Sequence, residues 1–521
     1  MARCRHYGNN VSPPSPPSVN GGAPSLLHYG GGHDDDDLID GGGSSDRPAK
    51  RPRAEDHDCI SKMPDDVLIG IVSRLTIRDA VATGAVSARW RDLWKQVTRI
   101  SLRPRHILPP GGEGDAAAAA AAGALSRDAR RLAGAASSVL RQHHGAGVDR
   151  LVLALPLAPS VHAAVLDQAM EFAASAGTKE LHLSLDNGEH PASGGPPPYD
   201  FPHWRFAAAG RLRSLLLCDV SLAAAAPAAQ RSFEGLARLT RLGLTRVAVD
   251  DAGVASVLSA CAALTVLELS KCRQLVHVAA SHDGLLVLRV RSCGGLKSVA
   301  VASSTLLELA YTGHKVDIVC RRTPAMVRLV LYVTNGCPLD CVATGGGGAA
   351  LPNLRQLFLQ FPSPLHALQH GWRFEGLNKI VLLFKTPWRK HVASVASLLA
   401  AAPLVKELRV EAYSHLPVPP PNKQGIQWPN RCLPKKLKSI VIGGFSGEPE
   451  LMELVDFLLW RSPAMRRLTI DTHRRHAVPS NGVRCWRREE TEDTLRCYYA
   501  RGVLWTHLAP KIPSTVKFTI I

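Results

Sequence analysis

Cysteines, histidines and paired acidic residues are the groups in this 521-residue chain that could serve as nucleophiles, metal ligands or general acids and bases. The closest cysteines considered as a metal pair are Cys337 and Cys341, and no histidine pair stands near them at zinc spacing. A cysteine nucleophile needs a histidine and an electropositive pocket, which is a matter of tertiary structure. His143-His144, and the pair His473 and His476, read as exposed-loop histidines. Asp250-Asp251 are placed to cap a helix beginning near Ala252 rather than to act as acid and base. Gly345 to Gly348 lack the Lys-Ser/Thr that a phosphate-binding loop requires. There is no Gly-x-Ser-x-Gly elbow and no His-Glu-x-x-His helix. No catalytic residue, cofactor or metal is therefore assigned, and the chain is expected to work by binding.

Hydrophobic residues make up 45% of the chain and charged residues 20%, as in a folded protein. No run approaches the ~20 apolar residues of a membrane span. The start, MARCRHYGNN, lacks the apolar core of a secretory signal, and the cysteines fit reduced thiols in the cytosol or nucleus. Residues 1–56 are rich in Pro, Gly and Ser, hold the acidic run Asp34 to Asp37, and read as a disordered tail. Within it, Arg47-Pro48-Ala49-Lys50-Arg51-Pro52-Arg53 resembles a short nuclear-import signal, although a solvated basic linker has the same composition. The localisation expected is nucleus, cytoplasm or both.

The most informative segment is 58–102. Val67, Leu68, Ile71, Val72 and Leu75 fall at helical spacing on one wide face. Pro64 suits a first helical turn, and Asp65 and Asp66 favour the positive end of the helix dipole. Thr76 with Asp79 has the form of a capping box opening a second helix to about Ala82, where Gly84 ends it early. Ser87 is placed to cap a third helix carrying Trp90, Leu93 and Trp94. A unit of this size buries little surface by itself. The two tryptophans are docked either on the rest of the chain or on another protein.

The segment resembles an F-box. Met63-Pro64 followed by acidic residues opens the motif, and Ser87-Ala88-Arg89-Trp90-Arg91-Asp92-Leu93-Trp94 closes it, with Ala88 where a basic residue is common. The resemblance implies docking on the Skp-type adaptor of a cullin-RING ubiquitin ligase. The residues it implies for that contact are Met63, Pro64, Val67, Leu68, Ile71, Leu75, Val86, Trp90, Leu93 and Trp94. Residues 103–147 read as a Pro/Gly/Ala-rich flexible spacer leading into a helix, which separates this segment from the C-terminal remainder and leaves its apolar surplus for a partner.

From Val148 an apolar-x-x-Leu-x-apolar pattern recurs. It runs from Val148/Leu151/Leu153 through Leu264/Leu267/Leu269, Leu285/Leu288/Val290, Leu306/Leu309/Tyr311 and Met326/Leu329/Leu331 to Met465/Leu468/Ile470. Leu267, Leu288, Leu309 and Leu329 stand 21, 21 and 20 residues apart, the period of leucine-rich repeats. Each unit supplies a short strand that cannot bury its apolar edge without a neighbour. Cys272 and Cys293 occupy the position where such repeats turn the chain inward, a structural role. Strand alternation points Glu268, Ser270, Arg289, Arg291, Glu308, Arg328, Tyr332, Gln356, Phe358 and Gln360 outward, which makes them candidates for reading a target.

Residues 148–432 thus read as irregular repeats and 433–521 as a closing region. Leu433 to Asp471 reads as strand, turn, amphipathic helix and strand, with Leu451, Leu454, Val455, Leu458 and Leu459 as the helix stripe. It resembles the FBD region that follows F-box and leucine-rich segments in a plant family, and Leu508 to Ile521 reads as a closing strand. The fold class expected is α+β: a three-helix F-box, an α/β leucine-rich-repeat solenoid and an FBD-like C-terminal cap.

Arginines at 461, 466, 467, 474, 475, 484, 487 and 488 contribute to a net charge of +18, which invites nucleic acid as a rival partner. No zinc finger, helix-turn-helix or aromatic RNA-binding strand accompanies them, and an acidic protein accounts for the charge equally well. The function expected is that of a non-catalytic substrate receptor. Its partners would be the Skp-type adaptor, through it a cullin-RING ligase, and a protein target, with no membrane. The alternative is a leucine-rich scaffold with no ligase.

Overall fold

The computed structural model describes residues 60–521 except 61, 86, 109–120, 186–196, 209, 223–232, 345–350, 362–371, 385–391, 413–425, 427, 429–433, 474, 481–482 and 489–493. The N-terminal tail with its acidic run and basic motif, Val86, and the glycines 345–348 lie outside the described residues.

Helix α1 (Asp65–Val72) starts directly after Pro64, whose extended backbone (φ −57°, ψ 151°) marks the boundary. Helix α2 (Ile77–Ala82) opens on the expected capping box: the Thr76 hydroxyl accepts from the Asp79 N–H at 3.2 Å and donates to the Asp79 carboxylate at 2.7 Å. A short 3-10 turn, Thr83–Ala85, follows around Gly84. The third element, Ala88–Gln96, is a 3-10 helix, and Ser87 makes no capping bond; its hydroxyl is buried without a partner among the described residues. Three residues per turn stack Trp90 over Leu93 on one side, with Trp94 beside them.

Residues 109–120 of the expected spacer lie outside the described residues, but the three helices are not set apart from the repeats. Val97, Ile100 and Leu102 have the repeat's own spacing, and β1 (Arg99–Leu102) is the first strand of the large sheet, paired in parallel with β2 (Arg150–Ala154). Around this junction lie α3 (Pro104–Ile107) and α4 (Ala121–Gln142), whose Leu132, Ala133, Ala136 and Leu140 are buried. The Thr98 carbonyl accepts from the Asp149 and Arg150 N–H groups, and the Arg78 guanidinium donates to the Leu108 carbonyl. The apolar core runs without a break from Leu68 to Val516.

The chain continues through α5 (Pro159–Ser175), β3 (Glu180–Ser184), β4 (Ser214–Cys218), β5 (Arg241–Thr245), α6 (Asp251–Ala260) and β6 (Val266–Ser270). Strands then alternate between two sheets: β7 (His277–Ser281), β8 (Val287–Arg291), β9 (Ser298–Ala302), β10 (Glu308–Gly313), β11 (Asp317–Arg321), β12 (Arg328–Val333) and β13 (Val342–Thr344). Next come β14 (Gln356–Phe361), β15 (Lys379–Phe384), α7 (Val392–Ala401), β16 (Glu407–Ala412), β17 (Ser439–Gly443), α8 (Pro449–Arg461) and β18 (Arg467–Asp471). The hairpin β19 (Arg475–Ser480) and β20 (Val483–Arg488), helix α9 (Thr494–Val503) and β21 (Lys517–Ile520) complete the described elements.

Fifteen parallel strands form one sheet in the order β1-β2-β3-β4-β5-β6-β8-β10-β12-β14-β15-β16-β17-β18-β21. Every repeat recognised from Val148 onward supplies one of them, in matching register: Leu267 faces Leu288, Leu288 faces Leu309, and Leu309 faces Leu329. The paired leucines of each strand point to the side where the helices pack. Between β5 and β6 the repeat from Leu242 to Leu267 has room for helix α6. The 20- and 21-residue repeats leave too short a return path for a helix with its turns. A second parallel sheet, β13-β11-β9-β7, covers the core there instead, with alternating burial such as that of His277–Ser281. Strand, helix and strand follow in the C-terminal region as expected, and Leu451, Leu454, Val455 and Leu458 are buried while Leu459 is half-buried.

Candidate protein-docking surfaces

Helix α1 carries two apolar faces, and the fold uses only one. Leu68 and Val72 are fully buried against Trp90, Leu93, Trp94, Ile100 and Leu102. Turned away from them, Met63, Val67, Ile71 and Leu75 are 38%, 43%, 40% and 41% exposed, and Val81 of α2 is 46% exposed. Val67 and Ile71 are one helical turn apart on α1, and Leu75 lies exposed in the turn just beyond its end. Pro64 is exposed at its head. Single exposed apolar residues are ordinary, but five large ones on so short a segment form a surface suited to another protein.

Arg89, the arginine of the closing motif, fixes this surface in place. Its guanidinium donates at 2.7 Å to the Met63 carbonyl and at 2.7 Å to the Asp65 carboxylate, tying the last helical element to the start of α1. Sequence reading treated Arg89 only as part of a pattern. Of the ten residues that the resemblance implied for adaptor contact, Met63, Pro64, Val67, Ile71 and Leu75 reach solvent. Leu68, Trp90, Leu93 and Trp94 are corrected to interior positions: α1 and the Ala88–Gln96 helix pack on each other, and all four join the apolar core that includes Ile100 and Leu102.

The second surface is the sheet face opposite the helices. Glu268, Ser270, Arg289, Arg291, Arg328 and Gln356 lie on it half-buried. Glu308, Tyr332, Phe358 and Gln360 are 9%, 3%, 9% and 2% exposed, so these four are sealed rather than open to a target. Tyr332 and Phe358 belong to a second apolar cluster with Ala310, Val330, Val381 and Leu383. The Gln360 side chain donates to the Val333 carbonyl at 3.2 Å. Beside this cluster runs a ladder of charge across neighbouring strands: Arg241 to Glu268 at 3.2 Å, Glu268 to Arg289 at 2.7 Å, Arg289 to Glu308 at 2.8 Å, and Glu308 to Arg328 at 3.7 Å. The Arg328 guanidinium also lies over the Phe358 ring, 4.5 Å from its centre.

The groups with catalytic types are engaged in holding the fold. Cys272 and Cys293 are buried side by side as a coupled pair: the Cys293 sulfur and burial push the Cys272 thiol up, while hydrogen bonding to Cys272 draws the Cys293 thiol down. Burial pushes the Cys261 and Cys320 thiols up to about 12. Asp250 caps α6 by accepting from the Gly253 N–H at 2.7 Å, and Asp251 accepts from the N–H groups of Val276 and His277. His143 is not an exposed-loop residue: it is half-buried, bonded to the Val97 carbonyl at 2.9 Å and edge-on to Phe172. His473 is likewise half-buried, with Nδ1 2.8 Å from the Asp471 carboxylate. The His476 side chain lies outside the described residues. Among the described residues no cluster of His, Cys, Asp or Glu could hold a metal ion, and no helix is long and apolar enough to cross a membrane.

The geometry agrees with what the chain is similar to. The F-box domain model matches residues 60–101, and the model described as the At1g61320/AtMIF1 LRR domain matches residues 139–521, well over half of the chain. The F-box/FBD/LRR-repeat protein At1g13570 of Arabidopsis thaliana is 24% identical over 446 residues, covering 80% of this chain and 92% of the relative. The FBD-associated F-box protein At1g61320 of the same plant is 24% identical over 469 residues, covering 81% and 92%. A shorter likeness, 52% identical over 40 residues and covering 8% of each chain, relates it to the putative F-box protein At1g67390 of Arabidopsis thaliana. The two models together cover the F-box helices and the strands of the large sheet, and the long matches extend over most of both chains: the chain belongs to the plant F-box/LRR/FBD family.

Proposed function

We propose that this chain is the substrate-receptor subunit of a Skp-cullin-F-box type ubiquitin ligase, docking on the Skp-type adaptor through Met63, Pro64, Val67, Ile71, Leu75 and Val81. The observation that carries this reading is the exposed apolar stripe of α1, set on an F-box whose other face is already satisfied. Leu68, Trp90, Leu93 and Trp94 act from beneath as the support that holds the stripe rigid. The sheet then holds a protein target near the charged ubiquitin-conjugating enzyme. Reaction follows from proximity, since tethering raises the effective concentration of the target lysine. The chain contributes position and no bond-making step.

Because β1 is hydrogen-bonded into the sheet, the docking stripe and the target-holding face share one framework. A target bound to the sheet is therefore presented at a set distance from the adaptor. The motif Arg47 to Arg53 would direct the chain to the nucleus, with the cytoplasm as the other compartment. The test is co-purification with a Skp-type adaptor, comparing the wild type with Val67→Asp/Ile71→Asp. Retention of the adaptor by wild type and its loss in the variant supports the reading; equal retention by both defeats it.

A further inference from the structure

The apolar seam of the large sheet is closed at one end and open at the other. At β1, Ile100 and Leu102 are fully buried in the core that holds the F-box tryptophans. At the far end β21 continues the seam, with Phe518 aligned on Leu468 and Ile520 on Ile470 of β18. Leu468 and Ile470 are fully buried, whereas Phe518 and Ile520 are only half-buried. β21 is the last strand of the sheet and has β18 as its neighbour on one side. The Lys517 and Ile521 N–H groups donate to the Arg466 and Ile470 carbonyls on that side. Backbone direction alternates along a strand, so the N–H and C=O groups of Phe518 and Ile520 face the outer edge. The end of a repeat solenoid needs a cap.

Helix α9 extends this open end. Its Cys497 and Ala500 are buried toward the core. On one flank Arg496 donates to the Ser446 hydroxyl at 2.6 Å and to the Gly444 carbonyl at 3.0 Å, and Tyr499 lies against Gly447, so that flank faces the turn ahead of α8. The other flank carries Leu495, Tyr498, Gly502 and Trp505, spaced 3, 4 and 3 residues apart as in a helix–helix seam. Leu495, Tyr498 and Trp505 are 83%, 67% and 63% exposed. Gly502 is exposed between them, and a Cβ there would have no neighbour within 4 Å. Trp505 sits in a π-helical turn, Leu504–Leu508, edge-on to Phe518 with ring centres 6.1 Å apart, which joins the helix seam to the strand edge.

We propose that this end is an interface with a second copy of the chain, in which α9 packs antiparallel on α9 and β21 pairs antiparallel with β21 about one two-fold axis. The end is self-complementary in both layers. About a centre at Ala500, Tyr498 of one copy meets Gly502 of the other and Leu495 meets Trp505, so each ring faces a gap or a smaller side chain. About a centre at Thr519, Phe518 meets Ile520 as a hydrogen-bonded pair and Thr519 meets its own copy. Each centre lies near the middle of its element, as one axis through both layers requires. Area decides that both layers take part. Leu495, Tyr498 and Trp505 offer on the order of 400 Å², about half of the ~800 Å² that each partner buries in a stable complex. The edge of β21 supplies the remainder. Arg496 is turned inward and Arg501 is the only other charge on α9, so no row of like charges opposes itself. A different protein would have to match the helix and the strand at once, which the copy does by symmetry.

The test measures the mass of the full chain by size-exclusion chromatography with light scattering at about 20 µM, where even a micromolar dimer is populated. Wild type is expected at the mass of two chains. Gly502→Arg fills the gap that Tyr498 of the other copy needs while touching nothing in its own chain. It is expected at the mass of one chain with an unchanged far-UV circular dichroism spectrum, association being weakened at least about a hundredfold. A second measurement locates the axis. Thr519 stands opposite its own copy as a non-hydrogen-bonded pair, about 4.5 Å apart at Cα and within disulfide reach. Air oxidation of Thr519→Cys is therefore expected to give a covalent two-chain product that neither wild type nor Lys517→Cys forms.

A single-chain mass for wild type overturns the proposal and leaves the open end to a different protein. So does a two-chain mass that survives in Gly502→Arg, or a dimer that Thr519→Cys fails to cross-link. Adaptor binding has no part in either readout, so the dimer stands or falls independently of the ligase reading. Where both hold, one particle carries two α1 stripes and two target-holding faces, and avidity follows from that pairing.

Discussion

The two faces of helix α1 have nearly the same composition and opposite fates. Leu68 and Val72 join the core that holds the tryptophans, while Val67 and Ile71, one position round the helix, and Leu75 just beyond its end meet solvent. Hydrophobicity alone does not distinguish them; what separates them is packing, since one side joins the core with Trp90, Leu93 and Trp94 and the other does not. The lesson is that a binding face and its support can be adjacent residues of one amphipathic helix. Substitutions must be sorted by face before a loss of binding can be interpreted.

The largest expected effect lies on the inner face. Trp94→Ala removes a buried ring from the junction of helices and sheet and should cost about 3–5 kcal/mol, measured as a shift of the denaturant midpoint. Leu68→Ala should cost about 2–5 kcal/mol by the same mechanism. Any loss of adaptor binding in either variant would then follow from a lost fold. A midpoint unchanged in Trp94→Ala would erase the distinction between the two faces.

A smaller effect is expected at the cap of α2. Thr76→Ala removes the hydroxyl of the capping box and should cost about 1 kcal/mol. Thr76→Ser should recover most of it, which identifies the capping bond rather than packing as the cause.

The junction also has a pH signature. Burial holds the His143 imidazole below the ordinary histidine value, and burial with Arg103 and Arg150 nearby brings His182 down to about 4. Both are therefore neutral in the folded chain where the unfolded chain, with a value near ~6.5, takes up a proton. Folding then excludes protons, so stability is complete at neutral pH and declines as pH falls below about 6.5. For His182 the decline continues to about 4. Urea midpoints measured from neutral to mildly acid pH should show this slope, and His143→Gln should flatten it. Stability that rises on acidification would contradict the assignment.

Smallest is the surface pair. Arg89 and Asp65 are 41% and 65% exposed, so Arg89→Ala should cost no more than about 1 kcal/mol of stability. Its expected effect is on the stripe, where loosening Met63 weakens adaptor binding more than it lowers the Tm. Equal proportional losses in both would show that Arg89 serves only the fold.

Much of this architecture is written in the spacing of leucines. Each recognised repeat became a strand of the large sheet because an apolar residue on alternate positions can be buried only with a neighbour in register. Val97, Ile100 and Leu102 carry the same spacing, yet they sit at the end of the F-box pattern, and assigning them to it hid the strand that joins the two parts. The second sheet was legible in principle from the alternation in His277–Ser281 and Ser298–Ala302, whose repeats are too short to return through a helix. On the candidate surfaces, alternation identified which residues leave the core. It could not show that Tyr332 and Phe358 are sealed, because their cluster gathers residues from four strands, or that Gln360 is buried beside them. Nor could it show that Arg289 is paired and Arg291 is not, since that depends on carboxylates two repeats apart.

The central claim is that the outer face of α1 binds the adaptor while the inner face only supports it. It is tested most directly by measuring Skp-type adaptor affinity and Tm together for Val67→Asp/Ile71→Asp. The account predicts a Tm within about 2 °C of wild type, as for exposed substitutions, and adaptor affinity reduced at least about a hundredfold by two charges placed in an apolar interface. Wild-type affinity in the variant, or loss of affinity only in step with loss of the fold, would contradict it.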